Sequence, residues 1–332
     1  MTASQKKNDS VVARAHPNIA LVKYWGKADR DRNLPAVGSL SITLDELATT
    51  TRIAIGDSID RDSFELNGSA ETTMSARLFA FIDQYWPIDR PRLAIRSENN
   101  FPTAAGLASS ASGFAALVVG LEAIMPQSLS THALARLAGH GSGSAARSLY
   151  GGFVRLDAPV TADDDIEVRQ IAGASDFPLE VVVAVTSEAR KATGSTSAML
   201  TSADTSPYYP SWVSTHREDL DAADQAVNAK DFAALADISE HSCLKMHAVM
   251  QATKPALLYW NAATIDCMHS IAAMRRAGRG VFFTIDAGPQ VKAVCLPGDA
   301  ESVSRELACI DGVKRVIRCG LGQAAEQLAM VS

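Results

Sequence analysis

The sequence predicts an α+β protein with two lobes, because its secondary-structure signals change character along the chain. In the first half, short runs of β-branched and apolar residues indicate strands, and apolar residues at gaps of three and four indicate helices between them. Beyond residue 187 helical patterns dominate. We therefore expect an N-terminal domain over residues 1–186 and a C-terminal domain over residues 187–332.

Each element is predicted from its own stretch of sequence. Strands in the first half are predicted at 11–16, 19–24, 49–55, 92–96, 152–156 and 179–185, where apolar runs end at turn-forming residues. The first helices are predicted at 74–85, 111–123 and 130–137. Longer helices follow at 211–227, 232–250 and 262–276, before a strand, a strand, a helix and a strand over 280–319.

Composition narrows the classes of protein that the chain can represent. Its 332 residues carry 31 basic and 37 acidic side chains, a formal charge of −6, which argues against a broad basic surface for nucleic acid. The 5 cysteines are scattered without CxxC spacing, so we expect reduced thiols and neither a zinc site nor a disulfide framework. No apolar run approaches the roughly 18 residues of a membrane helix. We therefore expect a cytoplasmic protein that binds neither membrane nor nucleic acid.

A phosphate-binding loop is predicted over residues 99–111, which read NNFPTAAGLASSA between a predicted strand and a helix of small residues. Gly106 can adopt backbone angles closed to other residues, and Ser109 and Ser110 offer hydroxyl groups beside the positive end of the helix dipole. A capped helix packed through its alanines is the alternative, because short glycine motifs often occur by chance. The full string PxxxGLxSSA favours phosphate binding, because it resembles the ATP loop of the GHMP small-molecule kinases.

Three further motifs narrow the resemblance. Residues 18–27 read NIALVKYWGK, residues 141–152 read GSGSAARSLYGG, and residues 284–289 read TIDAGP. Together they resemble the motifs of the diphosphomevalonate decarboxylase family, from about Ala13 to the last predicted strand. The resemblance implies a two-lobed GHMP kinase fold with the active site in the cleft between the lobes.

The resemblance also implies roles for individual residues. The expected catalytic residues are Asp286, Lys23 beside it, and Arg147, which would bind the substrate carboxylate. The expected substrate-binding residues are Tyr24, Trp25, Gly26, Lys27, Arg77, Ser142, Gly143, Ser144, Ala145, Ala146, Arg147, Ser195 and Thr196. The expected nucleotide-binding residues are Pro102, Gly106, Leu107, Ala108, Ser109, Ser110 and Ala111, with ATP and Mg²⁺ as cofactors. No protein side chain is assigned as a metal ligand.

The chemistry of these residues leaves alternatives open. Side chains three apart on a straight strand face opposite ways, so Tyr24 and Lys27 share a ligand only if Gly26 lets the chain turn. In isolation Arg147 is typical of a surface cation, although a guanidinium also binds a carboxylate through two parallel hydrogen bonds. Asp286 follows an apolar strand and precedes Ala-Gly, a context typical of a turn cap as well as of a catalytic carboxylate.

Some residues are given structural roles or depart from the family pattern. His241 and His247 are six apart in a predicted helix, a spacing that does not place two metal ligands on one face. Trp25 is also a candidate core residue. The departures are Val37, Gly38, Ala146, Ala198 and Gln290, of which Val37 removes a polar group near the expected substrate cleft.

The expected function is ATP-dependent decarboxylation of (R)-5-diphosphomevalonate to isopentenyl diphosphate. Phosphorylation of the C3 hydroxyl would create a leaving group, and loss of carbon dioxide would then form the alkene. The alternatives are a phosphomevalonate decarboxylase, a mevalonate 3-kinase and a ligand-sensing paralogue without turnover, of which an intact ATP loop and Asp286 disfavour the last. Oligomeric state is not readable from the sequence, although homodimers are common in the family.

Overall fold

The computed structural model describes residues 9–56, 59–86, 90–101, 109–124, 128–161, 163–189 and 193–331, which form a mixed α and β fold. Its strands are β1 (Asp9–Ala15), β2 (Asn18–Val22), β3 (Lys27–Asp29), β4 (Leu34–Pro35), β5 (Ser39–Thr43), β6 (Thr49–Ile55), β7 (Ser63–Leu66), β8 (Ser69–Ala70), β9 (Leu93–Asn99), β10 (Phe153–Asp157), β11 (Glu167–Ala172), β12 (Glu180–Val185), β13 (Val281–Ile285), β14 (Val291–Cys295), β15 (Arg315–Cys319) and β16 (Glu326–Val331). Its α-helices are α1 (Thr72–Tyr85), α2 (Ser109–Glu122), α3 (Thr131–Gly141), α4 (Ser195–Thr205), α5 (Tyr209–Ala229), α6 (Phe232–Gln251), α7 (Ala262–Arg276) and α8 (Ala300–Ala308), and a 3₁₀ helix spans Ala145–Leu149.

The N-terminal lobe contains two sheets. A six-stranded sheet has the order β16-β1-β6-β9-β7-β8, and a four-stranded sheet has the order β11-β10-β5-β2. Helix α2 packs on β1 and β6 through small residues, and a Cβ atom at Gly120 would lie 3.0 Å from Ile53 Cδ1. The alanines and the glycine of this helix therefore let it approach the sheet closely, which positions its first turn at the cleft.

The C-terminal lobe is built on one antiparallel sheet of order β13-β14-β12-β15. Helices α6 and α7 pack against β13, and α8 packs against β12 and β15. The expected boundary at residues 186 and 187 separates β12 from β14 and β15, the strands with which it pairs. In the other direction, β16 returns to the N-terminal lobe and pairs with β1. The sheets of the two lobes are therefore more interleaved along the chain than a single boundary describes.

The two lobes share a buried core. One cluster of buried residues combines Leu21 and Leu40 of the N-terminal lobe with Val183, Leu220 and Phe282 of the C-terminal lobe, each at most 1% exposed. Burial of apolar surface across the boundary stabilises the relative placement of the lobes.

A polar contact strengthens the same boundary. Arg155 of β10 is buried and donates hydrogen bonds to Asp221 and Asp224 of α5, at 2.6 Å and 2.9 Å. The two carboxylates compensate the buried guanidinium, so β10 and α5 are joined by a satisfied ion-pair network.

The mixed α and β fold is confirmed, and the differences from the predicted elements have local causes. Helix α3 begins after Ser130, whose hydroxyl accepts a hydrogen bond from Ala133 N, and continues to Gly141. Helix α4 was not predicted because its sequence, STSAMLTSADT, is rich in residues with weak helix propensity. Strand β16 was not predicted either. It pairs with β1, which lies at the opposite end of the sequence. Within the described ranges, no helix is long and apolar enough to span a membrane.

Candidate active site

A cleft of about 570 Å³ lies between the lobes. The residues that line it come from β2 and the segment between β2 and β4, from α1 and the start of α2, and from the loop after α3 together with the 3₁₀ helix. The others come from α4, from α6 and from the residues that follow β13. Of the described residues on its wall, Lys23, Lys27, Arg77 and Arg147 are cationic and Asp286 is anionic. A chain of net charge −6 thus concentrates positive charge in one cavity, as a site for an anionic ligand requires.

Asp286 is held between two lysines at the floor of the cleft. Lys23 Nζ lies 2.7 Å from Asp286 Oδ1, and Lys292 Nζ lies 3.0 Å from Asp286 Oδ2. Both lysine side chains are at most 1% exposed, whereas 27% of the Asp286 side chain remains exposed. Burial would raise the pKa of this carboxyl, but the two ammonium groups outweigh burial and hold the pKa well below its usual range. Asp286 is therefore ionised and accessible from the cleft.

Main-chain and side-chain contacts fix this group of charges. Lys23 Nζ also donates to the carbonyl oxygen of Ala20 at 2.8 Å, and Lys23 N donates to Ser242 Oγ at 3.0 Å. On the other side, Ile285 N donates to Cys243 Sγ at 3.2 Å, so helix α6 holds the end of β13 just before Asp286. The carboxylate consequently sits on a rigid support, which is the condition for precise positioning of a reacting group.

Arg147 lies in the wall of the cleft at 2% exposure. It donates to Ser39 Oγ at 2.6 Å and to Asn18 Oδ1 at 3.2 Å. Among the residues that the structure describes, no carboxylate lies within salt-bridge distance of this guanidinium. Burial lowers the pKa of Arg147 to about 10, so it keeps its charge at neutral pH. A buried cation without a carboxylate partner is costly, and an anionic ligand in the cleft would compensate it.

A second group of cations lies at the outer end of the cleft. Lys27 Nζ donates to Tyr24 Oη at 2.5 Å and to the side-chain oxygen of Asn33, which has a positive φ of 58°. Asn33 in turn donates to the carbonyl oxygens of Gly139 and His140 at the C-terminus of α3, at 3.0 Å and 3.1 Å.

Arg77 completes the outer end, since it donates to the carbonyl oxygen of Gly141 at 2.8 Å. Burial, followed by the charge of Arg77, lowers the pKa of Lys27 to about 8. Both cations face neutral oxygen atoms, which leaves their charges available to phosphate oxygens.

Glycines bring the cleft residues together. Gly26 has φ of +108°, and a Cβ atom there would lie 2.1 Å from Tyr209 Oη. The chain therefore turns between Tyr24 and Lys27, which places both side chains on the cleft, as the shared-ligand prediction requires. Gly143 is equally restricted, because a Cβ atom there would lie 2.5 Å from Tyr24 Oη.

The start of α2 forms another part of the cleft wall. Ser109 and Ser110 line the cleft, and Ser142 Oγ donates to Ser110 Oγ at 3.4 Å. Within the described ranges, no group of three or more His, Cys, Asp or Glu side chains is arranged to hold a metal ion. Magnesium on a nucleotide keeps most of its ligands as phosphate oxygens and water and needs one or two protein oxygens. The two serine hydroxyls fit this demand.

Most of the expected site residues lie on this cleft. They are Lys23, Tyr24, Trp25, Lys27, Arg77, Ser109, Ser110, Ser142, Gly143, Ser144, Arg147, Ser195, Thr196 and Asp286. By contrast, Ala111, Ala145 and Ala146 are completely buried, with their methyl groups in the core. They keep the helices close to the sheet and do not line the cleft. Pro102, Gly106, Leu107 and Ala108 lie outside the described residues.

Two of the expected alternatives are decided by geometry. Both carboxylate oxygens of Asp286 contact lysine ammonium groups, so this side chain is part of a charge cluster and not simply a turn cap. Trp25 is 1% exposed and packs with Trp212, whose Nε1 donates to the Trp25 carbonyl oxygen at 2.9 Å, so it belongs to the core as well as to the cleft wall.

Three of the departures from the family pattern, Val37, Ala198 and Gln290, are buried positions. Val37 and Ala198 are buried in the cluster around Trp25. The side-chain oxygen of Gln290 accepts a hydrogen bond from Thr186 N at 2.7 Å. Val37 therefore faces apolar neighbours, and the substrate cleft is lined by other residues.

Sequence reasoning missed three residues of the site. Asn18 joins Arg147 to Ser148, to which its Nδ2 donates at 2.8 Å, and Asn33 orients Lys27. Lys292 is the third. The sequence feature that could have identified it is a lysine within the apolar string VKAVC, which forms the fully buried strand β14. A charged residue in the middle of a fully buried strand needs a partner.

Two family models match successive parts of the chain. A family model described as the diphosphomevalonate decarboxylase-like N-terminal domain matches residues 15–166, and one described as the mevalonate 5-diphosphate decarboxylase C-terminal domain matches residues 181–314. The diphosphomevalonate decarboxylase of Candida albicans is 35% identical over 305 residues, which is 84% of this chain and 82% of that protein.

Solved structures give the same result. Mevalonate diphosphate decarboxylase from Staphylococcus aureus superimposes with a TM-score of 0.88 at 33% identity and covers 97% of this chain and 99% of its own. A complex of MDDEF with MVAPP, AMPPCP and magnesium has a TM-score of 0.88 at 32% identity and the same coverage. The fold and the anionic-ligand cleft thus define a two-lobed small-molecule kinase of the GHMP type.

Within that class, the chain belongs to the diphosphomevalonate decarboxylase family.

Proposed function

We propose that the cleft catalyses ATP-dependent decarboxylation of (R)-5-diphosphomevalonate to isopentenyl diphosphate, ADP, phosphate and carbon dioxide. The observation that carries this proposal is the pairing, in one cleft, of a fixed carboxylate at Asp286 with a buried, carboxylate-free cation at Arg147. An ionised hydroxy acid with phosphates at its far end matches this distribution of charge. The substrate and nucleotide analogue bound in the structurally similar MDDEF complex support the same assignment.

The substrate is oriented by contacts at both of its ends. Arg147 binds the C1 carboxylate, since its guanidinium is held in place by Asn18 and Ser39. Lys27, Arg77 and the Tyr24 hydroxyl bind the diphosphate at the outer end of the cleft. The C3 hydroxyl then lies near Asp286, between the two anionic ends of the molecule.

The first chemical step transfers the γ-phosphoryl group of ATP to the C3 oxygen. Asp286 accepts a hydrogen bond from the C3 hydroxyl and directs its oxygen toward the phosphoryl group. Because the two lysines hold its pKa low, Asp286 is a weak base before the reaction, so it first orients the hydroxyl and takes its proton only as the new O–P bond forms and ADP departs. Phosphoryl transfer through a loose transition state demands positioning and charge stabilisation, which this cluster supplies.

The second step is loss of the new phosphate and of carbon dioxide. The C3–O bond breaks with its electron pair on phosphate, and the C1–C2 bond supplies the electrons of the new C2–C3 double bond. Lys23 stabilises the departing phosphate by its positive charge. Arg147 prefers the ionised acid to neutral carbon dioxide, so its contact contributes to binding and orientation and opposes the final bond cleavage.

Magnesium, where bound with the nucleotide, would neutralise phosphate charge and lie beside the hydroxyls of Ser109 and Ser110. These hydroxyls and the positive end of the α2 dipole orient the nucleotide phosphates at the cleft.

Product analysis tests the proposal. The purified protein is incubated with ATP, Mg²⁺ and, separately, mevalonate, its 5-phosphate and its 5-diphosphate, and products are identified by mass spectrometry. Isopentenyl diphosphate with stoichiometric phosphate and carbon dioxide from the 5-diphosphate is the expected result. Turnover of the 5-phosphate in preference to the 5-diphosphate, or accumulation of a 3-phosphorylated acid, would overturn it in favour of the two related enzymes.

Three wider expectations accompany this function as proposals. We place the enzyme in the cytoplasm, which agrees with five unpaired cysteines, four of them buried. A homodimer is proposed from the family resemblance, and a division into domains over residues 1–186 and 187–332 is proposed from the change to helical patterns after residue 187. Sedimentation analysis tests the dimer, and limited proteolysis tests the domain division.

A further inference from the structure

Lys292 lies behind the cleft and reaches it only through Asp286. It is absent from the cleft wall, and its side chain is 1% exposed. In the β13–β14 hairpin, Lys292 pairs with Thr284 across the strands, and Asp286 follows Thr284 by two residues. Strand β13 ends at Ile285, so this register places Lys292 beside the end of the strand, where its Nζ reaches Asp286 Oδ2 at 3.0 Å.

Charge balance gives this lysine no obvious structural purpose. Lys23 already pairs with Asp286 at 2.7 Å, so Lys292 adds a second buried amino group to a compensated pair; burial lowers the pKa of Lys292, and the charge of Asp286 opposes that shift and favours its protonated form. An excess positive charge in the interior is destabilising, and an apolar side chain of similar volume would serve the fold better. The excess charge becomes favourable when a negatively charged group enters the cleft beside Asp286.

We propose that Lys292 is a positioning residue for the reaction, which holds Asp286 ionised and fixes the rotation of its carboxylate while a substrate hydroxyl binds. Lys292 binds Oδ2 and Lys23 binds Oδ1, so the plane of the carboxylate is fixed from both sides. Each oxygen keeps a free lone pair for a donor from the cleft. This inference rests on the proposed function and adds a residue that acts through Asp286 without touching the substrate.

The titratable groups around Asp286 allow the effect of Lys292 on the ionisation of Asp286 to be measured from the pH dependence of kcat. Lys23 and Arg147 face it from the N-terminal lobe, Lys292 from β14, and Cys243 and His247 from α6. Burial lowers the pKa of His247 to about 3 and raises the pKa of Cys243 to about 11, so both stay neutral between these values. A shift of the acid limb of kcat between the wild type and a Lys292 variant, measured with the same substrates, is therefore not due to either of these two groups and is assigned to Asp286.

Removal of the charge is the first arm of the test. Lys292→Met keeps the length of the side chain and deletes the cation, and we expect kcat to fall roughly 10- to 100-fold, the range for loss of a group that orients a reacting residue. The KM values for both substrates should stay close to wild type. The acid limb of kcat should move toward neutral pH, because Asp286 loses one of the two cations that keep it ionised.

Two further variants separate positioning from folding. Lys292→Arg retains the charge, so the acid limb should stay in its wild-type place and kcat should exceed that of Lys292→Met. Val294→Ala removes buried apolar volume from the same strand, so it should lower the melting temperature and leave the pH profile unchanged. In an Asp286→Asn background, Lys292→Met should have little further effect on kcat, since its target is gone.

The outcomes distinguish this inference from the proposed function. Wild-type release of phosphate and carbon dioxide is measured in parallel, and its absence would refute the function whatever the variants do. With an active wild type, a Lys292→Met enzyme with unchanged kcat and an unmoved acid limb would overturn the positioning role. If Lys292→Met does not fold, the Arg variant decides, and an acid limb that moves despite the retained charge would count against the proposal.

Discussion

The two ends of the cleft use lysine in opposite ways. At the floor, Lys23 and Lys292 are buried and their charges meet the carboxylate of Asp286. At the outer end, Lys27 is only half-buried, and it donates hydrogen bonds to the neutral oxygens of Tyr24 and Asn33. The floor is thus a set of charges that are fixed before a ligand arrives, whereas the outer end presents a charge that a ligand can compensate.

This difference separates reaction from recognition. Prearranged charges cost little reorganisation when the transition state forms, so the floor should contribute chiefly to kcat. Cations on neutral partners gain most when phosphate binds, so the outer end should contribute chiefly to KM. Substitutions at the two ends should accordingly affect different kinetic constants.

The largest effect is expected at the floor. Asp286→Asn keeps the shape of the side chain but removes its charge, so kcat should fall roughly 10²- to 10⁴-fold, or about 3 to 5 kcal/mol of barrier. ATP and substrate KM values should change little. The variant should also melt at a lower temperature, because Lys23 and Lys292 lose their shared counter-ion.

Single-turnover release of phosphate and carbon dioxide, well below the melting temperature, measures the Asp286→Asn effect. Asp219→Asn is the matched control, since it breaks the contact of Lys245 Nζ with Asp219 at 2.7 Å, away from the cleft. Near-normal release by Asp286→Asn would refute the catalytic assignment. Phosphorylated intermediate without carbon dioxide would move Asp286 to the second step.

Arg147 should give the next largest effect, this time on binding. Arg147→Lys cannot reproduce a two-point contact with a carboxylate while also reaching Asn18 and Ser39, so the substrate KM should rise roughly 10- to 100-fold. Steady-state kinetics with varied substrate measure the change. Arg217→Lys, at an exposed arginine, is the control and should leave the substrate KM unchanged. A loss confined to kcat would contradict the role of Arg147 as a ground-state contact.

The cations at the outer end of the cleft should produce an alkaline limb in the pH profile of kcat/KM. Lys27 binds phosphate only when protonated, and burial with Arg77 nearby places its pKa at about 8, so kcat/KM should fall as pH rises through this value. The alkaline limb should be weaker in the pH profile of kcat, because a bound phosphate group stabilises the protonated form of Lys27. Lys27→Arg should remove the limb, since a guanidinium stays charged. An unaltered limb in that variant would assign the titration to another group.

The smallest effect is expected from the serine hydroxyls at the start of α2. Ser110→Ala should raise the ATP KM roughly two- to tenfold, as expected for one hydrogen bond of about 0.5 to 1.5 kcal/mol, without lowering the melting temperature. ATP titrations of Ser110→Ala and Ser109→Ala test this, each variant serving as a comparison for the other. Wild-type kinetics in both would remove the hydroxyls from nucleotide binding.

The sequence revealed the floor only in part, and the reason is geometric. Lys23 and Asp286 lie in motifs that the family resemblance identifies, so their pairing was expected and the contact is present. Lys292 depends on the exact register of the β13–β14 hairpin, which a strand prediction does not supply. A one-residue shift of that register would turn its side chain to the opposite face.

The outer end was harder to predict for another reason. Its geometry depends on Asn33, which has a positive φ and joins Lys27 to the C-terminus of α3, more than a hundred residues away in the chain. Neither the backbone angle nor the distant partner has a local signature in the sequence. The core positions of α2, α5 and α6 were predictable because apolar periodicity is a local property.

The pairing of β16 with β1 has a consequence for how the chain folds during synthesis. Strand β1 leaves the ribosome before the other strands of the six-stranded sheet, yet one of its two neighbours is made of residues 326–331. Until those residues emerge, β1 is an open edge that can pair with other chains. Contacts between distant segments also slow folding. The N-terminal lobe is therefore completed only after residues 326–331 have been made, and a nascent chain carries an unprotected strand until then.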